Sequence, residues 1–449
     1  MKIVIIGGVA AGAKAAAKSK RLLPDAEIDI YTQENYVSYS ACGMPYFIEG
    51  SFEDWKKLIV RSIEEFEKSG INIHTRNRVT KILPADKNII VNDLDNDEFH
   101  FVNYDKLVIA TGSVPNFSNF PNTNFKNIYT LKKLEDAIAI KEKLQQVSHI
   151  TIIGGGYISI ELVEAFVKNG KRVDIIEKAP FIMPNFDEEI SSIIQKYILE
   201  NSNNQVKIHT EDVVNEFLGE DEVRGISTEH GSGFETDMVV IAAGIKPVVD
   251  IAQEAGIDLG VTGAIKVNSR METNLPDIYA CGDCAEKVHI VSNSPVWVPL
   301  GSTANKEGRV AAINLCGGSE DFEGVLGSAV TRYFDLNISM TGLSEKTAQK
   351  LGFDTVSVVI TKKDKAGYMP EVENITIKLI ADRRTHRILG IQGIGCGDAD
   401  KKVNNISTGL IRNITIEDLM DVDFTYAPPF STSEDILLSA ARMLKSKLT

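Results

Sequence analysis

Apolar runs of membrane-crossing length, a disulfide framework and any excess of positive charge are all missing from this 449-residue chain. A bilayer crossing needs about 20 consecutive apolar residues, so no membrane partner is expected. The charge balance, 48 Lys and Arg against 62 Asp and Glu for a net −14, with an isoelectric point of about 5.1, argues against nucleic acid, since a polyanion rewards a cationic surface. Cysteine is sparse. Cys42, Cys281, Cys284, Cys316 and Cys396 show no spacing that reads as bridges, which fits a reducing cytoplasm. Cys281 and Cys284 form a C-x-x-C, but no second pair or histidine set accompanies them, so they read as packing residues and no metal site is expected. The seven histidines are scattered and fall in no motif. The opening Met1-Lys2-Ile3-Val4-Ile5-Ile6 meets Gly7-Gly8 after four apolar residues, too soon for a signal peptide; it reads as a buried strand.

What is present is ample: 43% hydrophobic residues furnish two or three domains with full cores. The strand Lys2–Ile6, the turn Gly7-Gly8-Val9-Ala10-Ala11-Gly12, an Ala-rich helix to about Leu23 and the strand Glu27–Tyr31 form a βαβ unit. The start of its helix points at a phosphate, and the glycines permit the tight turn and close helix packing. Val9 occupies the middle glycine position. At the end of the second strand, where an acid would hold ribose hydroxyls, stands Thr32, with Glu34 two residues on.

The pattern recurs: Ile150–Ile153, then Gly154-Gly155-Gly156-Tyr157-Ile158-Ser159, a helix through Lys168, and a strand from Arg172 ending in Glu177. Ser159 replaces the third glycine. Glu177 would accept both ribose hydroxyls and repel a 2′-phosphate, which favours NADH; Lys171, Arg172 and Lys178 nearby leave NADPH open. Two further strands, Leu107 to Ser113 with a Thr111-Gly112 turn and Ile278 to Asp283, close the first domain, while Met238 to Gly244 closes the second. The expected class is therefore α/β with two Rossmann-like domains. Residues 1–115 and 248–322 form a split first domain, 116–247 an inserted second one, and 323–449 a third, α+β domain without a glycine-rich loop.

Cys42 lies in Val37-Ser38-Tyr39-Ser40-Ala41-Cys42-Gly43-Met44-Pro45-Tyr46, with no second cysteine within five residues. A free cysteine is most often a small buried apolar residue. Shortly after a phosphate loop, one thiol can instead carry electrons, provided its redox partner is a substrate sulfur or an oxygen. Lys14, Lys18 and Arg21 fall at i, i+4 and i+7 of the first helix and share a face. That stripe suits a polyphosphate ligand, or is an ordinary solvated face.

Together these motifs, with Ala110-Thr111-Gly112, Tyr279–Asp283 and Pro299 to Arg309, resemble the pyridine nucleotide-disulfide oxidoreductases. Within that family they are similar to the single-cysteine branch of coenzyme A-disulfide reductases, NADH oxidases, NADH peroxidases and persulfide reductases. The resemblance spans essentially the whole chain. It implies FAD in the split domain, NADH or NADPH in the insert, and a C-terminal dimerisation domain that completes the partner's active site in a homodimer. It implies cofactor contacts at Gly7, Gly8, Ala10, Gly12, Glu34, Thr111, Gly112, Gly154, Gly156, Tyr157, Ser159, Glu161, Glu177, Gly244, Gly282, Asp283 and Ala304. Tyr157 would gate the flavin and Glu161 orient the nicotinamide. Coenzyme A contacts are implied at Lys14, Lys18, Arg21, Ser38 and Asn305. Tyr426, in Phe424 to Ser431, resembles a tyrosine that reaches into the other subunit's site, and Tyr368, in Ala366 to Pro370, resembles the same branch's second active-site tyrosine; without the resemblance both read as core residues. Ala10 stands where the peroxidases and water-forming oxidases carry a histidine, and Ala cannot supply a proton.

The expected activity is therefore reduction of FAD by NAD(P)H followed, through Cys42, by reduction of a small-molecule disulfide such as coenzyme A disulfide. Cys42 would attack as a thiolate of depressed pKa, and Tyr426 or Tyr368 would protonate the leaving thiol. Persulfide or polysulfide reduction is the alternative; relatives doing this often carry an appended rhodanese domain, for which the chain, ending at Thr449, leaves no room. Oxygen reduction through a Cys42 sulfenic acid and an electron carrier or redox sensor complete the alternatives.

Overall fold

In the computed structural model of the chain, residues 1–116, 120–121, 123–231 and 233–448 are described; Thr449, the expected end of the third domain, lies outside them. The first sheet is fully parallel and places the strands Ile278–Ala280, Lys106–Ile109, Lys2–Ile6, Glu27–Tyr31 and Ile71–His74 side by side. Its central strand is a continuous apolar run because both faces are covered: Ile3, Val4 and Ile5 are wholly buried. The helix Ala10–Leu22 ends one residue short of Leu23, which precedes Pro24 and is biased away from helical geometry. It packs on the helix Gly301–Leu315, and Gly308 makes that approach feasible, since a β-carbon there would lie 2.3 Å from the Ala11 carbonyl oxygen.

The second sheet repeats the plan with Val206–Thr210, Arg172–Glu177, His149–Ile153, Met238–Ile241 and Ile128–Tyr129, again all parallel. The chain crosses between the two units twice, and the crossings pair with each other as the antiparallel strands Ser113–Pro115 and Ile245–Pro247. Each unit also carries a three-stranded antiparallel meander, Asn77–Leu83 with Asn88–Asp93 and Glu98–Asn103 in the first, Val214–Gly219 with Val223–Thr228 and Gly233–Glu235 in the second.

The C-terminal part is a five-stranded antiparallel sheet in the order Ala329–Tyr333, Leu336–Gly342, Ile388–Gly395, Asn374–Asp382, Thr355–Lys363. It carries the helices Ala399–Leu410 and Ile436–Ser446. The last helix starts at Ile436 because the Asp435 carboxylate accepts from the Leu437 N–H at 2.9 Å and caps it. A buried polar cluster joins this part to the second nucleotide unit. Lys378, 2% exposed, meets Glu345 at 2.8 Å, Glu189 at 2.9 Å and Asp187 at 3.4 Å. Asp187 also accepts from the backbone N–H groups of Glu345 and Lys346 and from the Gln392 amide, so one aspartate caps a helix of the other domain.

Candidate functional site

In both glycine turns the first glycine admits no side chain. Gly7 has φ +103, and a β-carbon on it would sit 2.2 Å from the Ala110 carbonyl oxygen; one on Gly12 would sit 1.9 Å from the Gly7 carbonyl oxygen, and one on Gly8 would run into Val37. In the second turn Gly154, φ +102, approaches Ala242 as closely. Ser159, in place of a third glycine, donates its hydroxyl to the Gly154 carbonyl at 2.6 Å and closes the turn. The helices Ala10–Leu22 and Tyr157–Lys168 that follow start with no side-chain cap and no acid in the first turn. Their first N–H groups are thus free for phosphate oxygens. A β-carbon at Gly156 would meet nothing within 4 Å, and the same holds at Gly112 and Gly244. These turns fit two dinucleotides.

The acids near the two turns differ. Glu177, 6% exposed, accepts from the Gly155 N–H at 2.6 Å and the Ala179 N–H at 2.8 Å, so its carboxylate is oriented by the backbone. Glu34 accepts from the Tyr39 hydroxyl at 2.7 Å; burial pushes its carboxyl above the usual range, and that hydrogen bond opposes the shift.

Cys42 sits in the single turn Ala41–Gly43 that leads into the helix Met44–Glu49. It is the one exposed cysteine; Cys281 and Cys284 are buried, Cys316 and Cys396 partly so. A β-carbon on Gly301 would lie 4.0 Å from its sulfur, so the thiol faces the start of the helix Gly301–Leu315. Water reaches the thiol from one side, yet the protein on the others pushes its pKa up, chiefly by burial and then through Glu161 and Asp283, with Lys132 opposing. The chain alone thus acts against the depressed thiol pKa expected from sequence.

Lys132 and Ser113 carry no motif, and nothing in the sequence marked them. Lys132 donates to the Ser113 hydroxyl at 2.7 Å and pairs with Asp283 at 3.3 Å, and Ser113 in turn donates to Asp283 at 2.8 Å. Asp283 thereby joins strands from both halves of the first domain. Thr111 donates to the Val248 carbonyl at 2.7 Å, and Ala304 is buried beside Gly282.

Glu161 lies one turn beyond Tyr157 and accepts from the Thr331 hydroxyl at 3.1 Å. Burial pushes its carboxyl up to about 7, with Thr331 opposing and Glu164 adding. The Tyr157 hydroxyl is buried without a hydrogen-bond partner among the described residues, and its ring stands 6.3 Å from that of Phe186.

Lys14 and Lys18 are half-buried and Arg21 exposed, and none of the three has a salt bridge among the described residues. Ser38 takes a positive φ of +49 and donates its N–H to Gly8, crossing the first turn. Asn305 is exposed and donates to the Gly301 carbonyl at 3.0 Å within its own helix. Tyr368 and Tyr426 are not core residues: they are 76% and 52% exposed, and a backbone bond from Ala366 to Pro428 brings their loops together. Neither has a hydrogen bond or ring contact with the Cys42 segment among the described residues.

Residues 1–308 match the family described as pyridine nucleotide-disulphide oxidoreductase, and residues 328–436 match its dimerisation domain. Over 448 residues the chain is 36% identical to an NAD(P)H sulfur oxidoreductase (CoA-dependent) of Pyrococcus abyssi, covering 99% of this chain and 98% of that one. It is 28% identical over 442 residues to a coenzyme A disulfide reductase of Staphylococcus haemolyticus, covering 97% of each. The structure of an NAD-dependent persulfide reductase from A. fulgidus superposes with a TM-score of 0.96 at 32% identity, covering 100% of this chain and 83% of that one. Among the described residues no helix is long and apolar enough to cross a membrane.

Proposed function

The chain belongs to the pyridine nucleotide-disulphide oxidoreductase family as an FAD-dependent NAD(P)H oxidoreductase, and from that we propose that it reduces a small-molecule disulfide, with coenzyme A disulfide the favoured substrate, through Cys42 alone. The observation that carries this reading is the isolation of the thiol: Cys42 is exposed while the other four cysteines are buried or partly buried in other segments. FAD belongs to the first glycine turn, Thr111, Gly112 and Asp283, in residues 1–115 and 248–322, and NAD(P)H to the second turn and Glu177, in 116–247. Held there, FAD would supply the two-electron relay between the nicotinamide hydride and sulfur.

As a thiolate, Cys42 attacks one sulfur of the disulfide, forming a mixed disulfide and releasing the other half as a thiol after proton transfer. Two electrons and one proton then restore the Cys42 thiolate and release the second thiol. Because burial, Glu161 and Asp283 favour the protonated thiol, Lys132 and the bound flavin are left to hold the thiolate. The exposed Tyr368 and Tyr426 serve the Cys42 of a second copy through residues 323–449, protonating the departing thiol there. Lys14, Lys18 and Arg21, which have no ion pair among the described residues, receive the phosphates of coenzyme A. Glu177, its carboxylate oriented by the Gly155 and Ala179 N–H groups, favours NADH over NADPH.

A second reading, persulfide or polysulfide reduction at the same thiol, is favoured by the higher identity to the sulfur oxidoreductase, 36%, than to the disulfide reductase, 28%. The test is anaerobic reduction with NADH, then rapid-mixing reoxidation by coenzyme A disulfide, polysulfide and oxygen in parallel. Fast reoxidation by coenzyme A disulfide that is lost in Cys42→Ser supports the first reading. Fast reaction with polysulfide alone moves the assignment to sulfur reduction.

A further inference from the structure

Beneath the turn that presents Asp283 lies an ion pair that the chemistry above does not use. Lys287 and Glu307 pair at 3.4 Å with side chains 1% and 0% exposed. Both reach the same residue. Glu307 accepts from the Gly282 N–H at 2.6 Å, and Lys287 donates to the Gly282 carbonyl at 2.9 Å and the Ala285 carbonyl at 2.8 Å. Gly282 has φ +85, and a β-carbon on it would come within 2.8 Å of the Ala11 β-carbon. It is therefore wedged against the first helix while two charged groups grip its amide and carbonyl. The next residue is fixed from outside as well, since the Trp297 indole donates to the Asp283 carbonyl at 2.7 Å.

Two fully buried charges are a costly way to hold a turn, because apolar residues of similar size usually pack there as well or better. The second oxygen of Glu307 meets only Lys287, at 3.4 Å, among the described residues. Burial pushes this carboxyl up to about 7, with Lys287 and the Gly282 N–H opposing. What the pair does supply is direction. The Gly282 N–H belongs to the peptide before the residue and the Gly282 carbonyl to the peptide after it, so the pair fixes both peptide planes around Gly282, and the second plane sets where the Asp283 side chain leaves the backbone toward Ser113 and Lys132.

We propose that the Lys287–Glu307 pair is a positioning device for the flavin: by gripping Gly282 from both sides it aims the Asp283 carboxylate and so sets how tightly FAD is held. The inference rests on the reading of Asp283 as a flavin contact. It is tested on apoprotein titrated with FAD and followed by flavin fluorescence, with the melting temperature of each apoprotein and the KM for NADH of each holoenzyme measured alongside. Removing both charges avoids stranding either. The double variant Lys287→Met/Glu307→Gln keeps an acceptor for the Gly282 N–H and is expected to bind FAD within threefold of the unaltered chain. Lys287→Met/Glu307→Leu keeps none and is expected to bind at least tenfold more weakly, with an unchanged KM for NADH. Equal FAD affinity in the two double variants, with only the melting temperature lowered, would overturn the proposal. If the Leu variant does not fold, Lys287→Met/Glu307→Met decides: it matches glutamate in length, also keeps no acceptor for the Gly282 N–H and should bind FAD at least tenfold more weakly than the Gln variant, and equal affinity overturns the proposal. Asp283→Ala separates the two levels. Weak FAD binding there beside intact binding in the pair variants defeats only the inference, whereas intact binding in Asp283→Ala defeats the reading of the site.

Discussion

Glu161 and Thr331 meet at 3.1 Å, and this hydrogen bond ties the helix behind the second glycine turn to the first strand of the C-terminal sheet. The Thr331 hydroxyl stabilises the charged form of a carboxyl that burial nonetheless pushes up to about 7. Thr331→Val should therefore move the Glu161 pKa upward, since it removes a donor to the carboxylate. The rate of flavin reduction by NADH should show an apparent pKa near 7 that rises in Thr331→Val and disappears in Glu161→Gln. A profile unchanged in both variants would remove Glu161 from the nicotinamide site.

The same shift makes a statement about stability. A carboxyl whose folded pKa lies above its usual 4.5 favours the folded state while protonated. Its contribution is complete below pH 4.5 and is lost as pH rises through 7. Glu161→Gln should flatten that part of the melting temperature against pH curve and leave the limb below 4.5 unchanged.

Cys42→Ser should leave flavin reduction by NADH intact while disulfide turnover falls on the order of 10³-fold or more, since no neighbouring thiol replaces the nucleophile. Retained turnover would show that reduced flavin reacts with the disulfide directly.

How much of this was readable from the chain follows from what each interaction looks like in sequence. The two glycine turns, the apolar strands before them and the lone Cys42 are local patterns with a fixed period, and their bounds differ by a residue or two from the structure. The meanders Asn77–Asn103 and Val214–Glu235 were not legible, because strands such as Glu98–Asn103 are exposed along most of their length and lack a clean alternation. Lys132, Ser113, Thr331, Lys287 and Glu307 sit in ordinary surroundings along the chain and acquire a role only where distant segments converge. The pKa of Cys42 could not be read at all, since burial and the carboxylates of Glu161 and Asp283 are set by tertiary structure.

Lys132 is the cation that opposes the upward shift of the Cys42 thiol. Lys132→Met should raise the thiol pKa further, read as an upward shift of the pH profile for alkylation of Cys42 in the apoprotein. Alkylation with an unmoved profile would place Lys132 in the service of Asp283 alone.

Asp187 gives the last prediction, because one side chain serves two domains. It is 5% exposed, accepts from the Glu345 and Lys346 N–H groups and from Gln392, and faces Lys378 at 3.4 Å. Asp187→Ala leaves those donors without an acceptor, while Lys378 keeps Glu345 at 2.8 Å and Glu189 at 2.9 Å. The loss should be about 3 kcal/mol, at the low end for breaking a buried pair, because two carboxylates remain. The segment that ends at Asp187 also carries Phe186, against which Tyr157 packs. The variant should therefore raise the KM for NADH as well as lower the melting temperature. Asp187→Asn, which still accepts a hydrogen bond, should recover most of the KM but less of the stability. A melting temperature that falls while the KM stays put would confine Asp187 to holding the domains together.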